Sequence, residues 1–226
     1  MQRTTEENST ELIDKFVREL NTPKVLFDND RIRVSDLRLS PGESSKVTFT
    51  YPTVRWQVDE GLDATGVITD KQVYFQENDS TCELRNVASD STLRQVWFEI
   101  KKKPRRSEEE TKEILANAVY STDVGTELLF ENRWCRVWDF CLGIGEGDSS
   151  VPHHHVLDYV YIYVAPGRLL GYRHDGTPGL FDSINEDGDV TWNDIPDGAE
   201  LDPEYAHGGK NGYDHLPMRE YLVELK

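Results

Sequence analysis

The sequence predicts an all-β protein built from two copies of one β unit, with one helix ahead of the first copy and another between the two. Three observations carry this. From Val25 onward the chain runs in short alternating or β-branched stretches broken by Gly, Pro, Asp and Asn, the pattern of half-buried strands and tight turns. Lys24–Glu43 aligns without gaps on Glu127–Glu146 with nine of twenty positions identical. Cys82–Lys101 aligns in the same way on His207–Lys226, matching Asn86/Asn211, Arg94/Arg219, Glu99/Glu224 and Lys101/Lys226. Similarity at both ends of a segment of roughly 80 to 100 residues marks an internal duplication.

The elements follow in order. Residues 1–23 read as an amphipathic helix, because Leu12, Ile13, Phe16, Val17 and Leu20 recur at helical spacing and Thr22-Pro23 ends it. The first β copy spans residues 24–103. A helical linker fills residues 104–123: Ser107 with Glu110 forms a capping-box pattern, the acidic first turn suits the helix dipole, and the helix runs to about Val119. The basic run Lys101–Arg106 before it reads as a solvated linker. The second copy spans residues 124–226.

The formal net charge of the 226 residues is −17, and it is unevenly placed. Residues 1–106 carry 17 basic and 18 acidic side chains, residues 107–226 carry 8 and 24, and all six histidines lie in the second part. A chain this acidic is repelled by phosphate backbones and anionic lipid, which argues against nucleic-acid and membrane partners. No apolar run approaches the roughly 18 residues of a membrane span, and the start of the chain lacks an apolar signal core. With three scattered cysteines this predicts a cytoplasmic protein. Cys135 and Cys141 lie too far apart on one extended strand to bridge.

Chemistry concentrates in the second copy. Gly147 is followed after five residues by His153-His154-His155, then by Asp158-Tyr159, and much later by His207 and Asn211. On a strand, alternate residues share a face, so His153 and His155 point one way and His154 the other. Two imidazoles so placed can chelate one divalent ion, and a third from a distant strand would complete a facial set with open positions. Tyr159, Tyr161 and Tyr163 share that parity and are expected to face the interior. His174 and His215 sit in polar stretches and read as solvated.

These residues resemble the cupin superfamily. Its first motif, Gly, five residues, His-x-His, then Glu and Gly, is matched by Gly147, His153, His155 and Gly167, and the end of its second, His, three residues, Asn, by His207 and Asn211. The resemblance covers nearly all of Val25–Lys226 and implies a double-stranded β-helix barrel in each copy, hence a bicupin, which would pair into a homodimer. It implies a divalent metal (Fe, Mn, Ni or Zn) held by His153, His155 and His207. The family's Glu is replaced by Tyr159 or Val160, which leaves the Tyr159 phenol, a water or a re-aimed Asp158 as the fourth group. Tyr159 is the candidate catalytic residue, and Asp158, Tyr161 and Asn211 are possible additional site residues. Glycines follow His207 where the second motif has one before it.

The first copy has no His; Cys82 stands opposite His207, and Thr48-Phe49-Thr50-Tyr51-Pro52 opposite the triplet. It is expected to be a metal-free scaffold, with Cys82 as a small apolar side chain. The expected function is that of a metal-binding, small-molecule enzyme of dioxygenase, lyase or isomerase type, with Gly171–Asp189 as a candidate lid. A non-catalytic bicupin that binds or senses a small ligand is the alternative. The acidic surroundings favour neutral or cationic ligands over anionic ones.

Overall fold

The computed structural model describes residues 22–58, 61–63, 66–68, 73–77, 79–144 and 149–226. The expected helix over residues 1–23 therefore falls almost entirely outside the described residues, as do Gly145–Asp148. Strands dominate, and the chain divides into two compact units, Met1–Lys102 and Lys103–Lys226.

In the first unit the strands are β1 (Lys24–Asp28), β2 (Ile32–Leu39), β3 (Ser44–Phe49), β4 (Thr53–Gln57), β5 (Gly61–Asp63), β6 (Gly66–Ile68), β7 (Val73–Gln76), β8 (Ser80–Arg85) and β9 (Leu93–Ile100). They form a five-stranded antiparallel sheet in the order β1-β2-β9-β4-β7 and two-stranded ribbons β3-β8 and β5-β6. Val47 pairs with Cys82 across the β3-β8 ribbon. From that ribbon Val47 and Phe49 join Leu37, Leu39, Leu84, Leu93 and Trp97 in one buried cluster, with Cys82 packed against it. Phe49 meets Trp97 edge-on, ring centroids 4.9 Å apart.

The second unit opens with the helix α1 (Glu108–Asn117). Its expected start is present: the Ser107 hydroxyl accepts from the Glu110 N–H while the Glu110 carboxylate accepts from the Ser107 N–H. Ala118 already has extended backbone, so the helix stops two residues short of the expected end. The strands that follow are β10 (Glu127–Glu131), β11 (Cys135–Leu142), β12 (His153–His154), β13 (Asp158–Tyr163), β14 (Gly167–Arg173), β15 (Pro178–Asn185), β16 (Val190–Asn193), β17 (Ala206–Asn211) and β18 (Met218–Leu225). One sheet runs β10-β11-β18-β13-β16 and the other β12-β17-β14-β15.

The five-stranded sheets of the two units repeat each other strand for strand and register for register. Lys24 faces Asp36 as Glu127 faces Asp139, and both edges slip by one residue at the same place, before Phe27 and before Phe130. Several of the residues identical between the copies satisfy polar groups. Asn29 and Asn132 accept two backbone N–H bonds each at the turn after the first strand. Asn86 donates to the carbonyls of Leu39 and Ser91, and Asn211 to those of Gly143 and Leu216. Asp36 pairs with Arg94 at 3.1 Å and Asp139 with Arg219 at 2.9 Å. Lys101 reaches Asp28 and Lys226 reaches Glu131, each at 2.6 Å. Buried backbone and charge must find partners, which both units supply with the same residues at these positions.

Candidate metal centre

The segment that leads into β12 is short because Pro152 cannot donate to a ladder, so only His153 and His154 pair, with His207 and Ala206 of β17. The pairing places His153 directly across from His207. His155 follows with the same parity, and its N–H donates to the Tyr205 carbonyl. The three imidazoles converge: one nitrogen from each ring lies within 4.8 Å of those of the other two. His153 Nε2 and His155 Nε2 are 3.2 Å apart. Ring centroids are separated by 4.9 Å (His153–His155), 5.2 Å (His153–His207) and 4.9 Å (His155–His207).

Burial drives the charge state of these rings. His153 and His155 are each 4% exposed. Loss of water pushes His153 down to about 3 and His207 down to about 4, with mutual repulsion adding to the first, and holds His155 well below the usual imidazole range. All three are neutral near pH 7, with lone pairs free to bind a cation. His155 Nδ1 has no hydrogen-bond partner, whereas His153 Nδ1 lies 3.1 Å from the Val151 carbonyl, an arrangement that leaves Nε2 as the free donor atom. Three neutral nitrogen donors at mutual chelating distance fit a divalent ion of the borderline class. His154 points the opposite way, as its parity requires, but it is fully buried rather than at the surface, with Nε2 2.9 Å from the Asp202 carbonyl.

The histidines form the floor of a cavity of about 360 Å³. Tyr159 and Tyr161 of β13 line it, as do Phe140, Leu169, Leu222 and Glu220, while Leu180, Phe181, Ser183 and Asn193 close it from β15 and the end of β16. The Tyr159 ring stacks on His155 with centroids 4.1 Å apart. Burial raises its phenol far above the usual range, so it remains protonated. Tyr163 shares the parity but is buried with Leu142, Phe140 and Met218 in the adjoining core, outside the cavity lining.

Two candidates are not brought to the histidines. Asp158, buried on the opposite face of β13, accepts the Ile195 N–H at 2.9 Å and pairs with Arg105 at 3.3 Å, so it fastens the segment after β16. Asn211 spends its amide on the two loop carbonyls already described. The stretch expected as a candidate lid belongs to the hairpin β14-β15, whose register slips between Gly171 and Tyr172 and which turns at Asp175 and Gly176. His174 rests on Tyr120, and exposed His215 bonds to Asp214.

Sequence reasoning did not single out Glu220. It is 4% exposed and lies on β18, whose faces are both covered. One signal was present: the aligned position in the first copy is Gln95. The structure also corrects the alignment of the triplet. Because Thr53 faces Glu99 as Tyr159 faces Glu224, and Val47 faces Cys82 as His153 faces His207, the counterparts of His153, His155 and His207 are Val47, Phe49 and Cys82. The copies differ in loop length just there, and a gapless offset misplaces the triplet by about one turn of chain.

No protein-family model matches the sequence, and no curated protein is similar to it. Similarity appears in three dimensions. The structure of AerE from Microcystis aeruginosa superposes with a TM-score of 0.52 at 10% identity, covering 91% of this chain and 98% of that one. A salicylate 1,2-dioxygenase from Pseudaminobacter salicylatoxidans gives 0.51 at 10% identity over 96% and 80% of the two chains. A Bacillus subtilis oxalate decarboxylase variant gives 0.50 at 11% identity over 87% and 69%. The chain has the cupin fold. At such identities the cupin likeness speaks for architecture alone. Among the described residues no helix is long and apolar enough to cross a membrane.

Proposed function

We propose that this chain is a bicupin, the product of an internal duplication, whose second unit holds one divalent metal on His153, His155 and His207 and uses it on a small molecule. The observation that carries the reading is the convergence of three neutral imidazoles, two buried and one half-buried, on the wall of one cavity. Iron, manganese, nickel and zinc all suit the donor set. Bound there, such an ion supplies Lewis acidity or, if redox-active, dioxygen chemistry. A salicylate dioxygenase and an oxalate decarboxylase share the fold, and the three-imidazole cluster beside a cavity supports an enzyme of dioxygenase, lyase or isomerase type.

The chain's own residues set the conditions. Phe140, Leu169, Phe181 and Leu222 exclude water and orient an apolar body against the imidazoles. Tyr159, protonated and stacked on His155, is a hydrogen-bond donor beside the centre and the proposed catalytic residue; Tyr161 extends that wall. The first unit fills the equivalent volume with Val47, Phe49 and Trp97 and is proposed as scaffold. Three thiols without a disulfide support a reducing compartment such as the cytoplasm.

The test is elemental analysis of untagged protein together with the spectrum of its cobalt-substituted form. One metal per chain is expected, lost in the His153→Ala/His155→Ala double variant and perturbed by azide through an open position. A metal that azide does not reach favours the structural alternative, a bicupin that binds or senses its ligand without turnover.

A further inference from the structure

The geometry points to Glu220 as the group that selects the ligand: the cavity takes a small apolar molecule bearing a protonated amine, and the Glu220 carboxylate receives that ammonium. The inference rests on the reading of this cavity as the ligand site, and it adds the chemical class that the metal reading leaves open.

Glu220 is the acidic residue of the lining, and among the described residues the lining contains neither Lys nor Arg. It is 4% exposed, its Oε1 has no hydrogen-bond partner among the described residues, and the Tyr163 hydroxyl, across the strand pair, is a donor beside the carboxyl. A buried carboxyl left short of partners is costly, so its presence calls for a reason. The first unit shows that the fold does not supply one. Phe140 and Tyr163 face Glu220 across β18, and in the twin sheet Leu37 and Gln57 face Gln95. Gln95 is fully satisfied there: it donates to Gln57 Oε1 at 3.3 Å and accepts from the Trp97 indole at 3.1 Å. The same position of the same sheet is thus a neutral, closed relay in the unit without histidines and an acid open to the cavity in the unit with them.

Charge over longer range agrees. Residues 107–226 hold 24 acidic and 8 basic side chains, a field that draws cations to the cavity mouth and repels anions. A carboxylate or phosphate ligand would meet Glu220 with no cationic side chain in the wall to offset it. An ammonium meets a desolvated carboxylate, where a charged hydrogen bond is at its strongest.

The experiment compares three probes of one shape, 2-phenylethylamine, 2-phenylethanol and phenylacetate, by calorimetric titration of the full chain at pH 7.5, with metal bound and after chelation. The amine is expected to bind at least tenfold more tightly than the alcohol, and phenylacetate most weakly in the chelated protein. Glu220→Gln is expected to erase the preference for the amine while leaving the alcohol unchanged; it should fold, because Gln occupies the equivalent position of the twin. If it does not, the order of the probes on the unaltered protein decides. Equal binding of amine and alcohol, tighter binding of phenylacetate to chelated protein, no amine binding at millimolar concentration, or an amine preference that survives in Glu220→Gln each overturns the inference. Amine selectivity that persists in a protein with no metal refutes the metal reading and upholds this one; a bound metal without amine selectivity does the reverse.

Discussion

Replacing His155 by phenylalanine should make the metal-free protein more stable. His155 is buried, its ring stacks on Tyr159, and its Nδ1 has no partner. Its counterpart in the first unit is Phe49, which fills the same place in a closed apolar cluster. Phenylalanine keeps the ring and the stack and removes an unsatisfied polar atom, a gain of about 1–3 kcal/mol. That corresponds to roughly 3 °C in melting temperature for each kcal/mol in a protein of this size. The assay is urea unfolding of both proteins after chelation, followed by the same measurement with metal. At a free metal concentration one thousand times its Kd, the unaltered protein gains about 4.1 kcal/mol that the variant cannot, so the order of stability should reverse. A His155→Phe protein that is less stable than the original without metal would refute the reasoning, because the imidazole would then be part of the packing rather than a ligand held in readiness.

The pH profile of stability gives a second check. Burial pushes Glu220 up to about 7, against the pull of the nearby Tyr163 hydroxyl. A carboxyl raised in the folded state contributes stability that is complete below its ordinary value of 4.5 and lost as pH rises through 7. In chelated protein, Glu220→Gln should therefore gain on the original between pH 5 and 8, by about 3 kcal/mol at most, read from urea midpoints. Arg219→Ala strands the Asp139 carboxylate, 1% exposed in its side chain, and should cost about 3–5 kcal/mol in unfolding free energy, with part recovered in the Asp139→Ala/Arg219→Ala double variant. Gly208→Ala would place a Cβ 2.1 Å from the Tyr172 ring, which is itself tied to the Ser150 carbonyl. The expected cost is about 1–3 kcal/mol, with weaker metal binding as β17 and His207 shift. Gly209→Ala meets only the tip of Leu169 and should be milder on both measurements.

Much of the fold was legible because the repeat preserved the polar positions. Asn29/Asn132, Asp36/Asp139, Arg94/Arg219, Asn86/Asn211 and Lys101/Lys226 are identical because each closes a hydrogen bond or ion pair that both units need. Strand parity likewise sent His153 and His155 one way and His154 the other. The rest of the cavity was hidden by strands buried on both faces, where polar and apolar residues fall on both parities and alternation no longer marks the inward face. Glu220 and Phe140 lie on two such strands. The hairpin β14-β15 was obscured for a different reason, since Gly171, Gly176 and Gly179 read as a loop while Gly171 in fact leaves room for Phe181 against the strand.

The position of β9 and β18 also has a bearing on how the protein is made. Each is the last strand of its unit to leave the ribosome, and each is the middle strand of its five-stranded sheet. Until those eight residues emerge, β2 and β4, or β11 and β13, have no neighbour to join them. The first unit can assemble while the second is still being translated. In the second, the histidines lie on β12 and β17, which pair with each other in the separate sheet β12-β17-β14-β15, so only Glu220 and Leu222 of β18 are still to be added to the cavity wall. The three imidazoles can therefore come together before the wall of the cavity around them is complete.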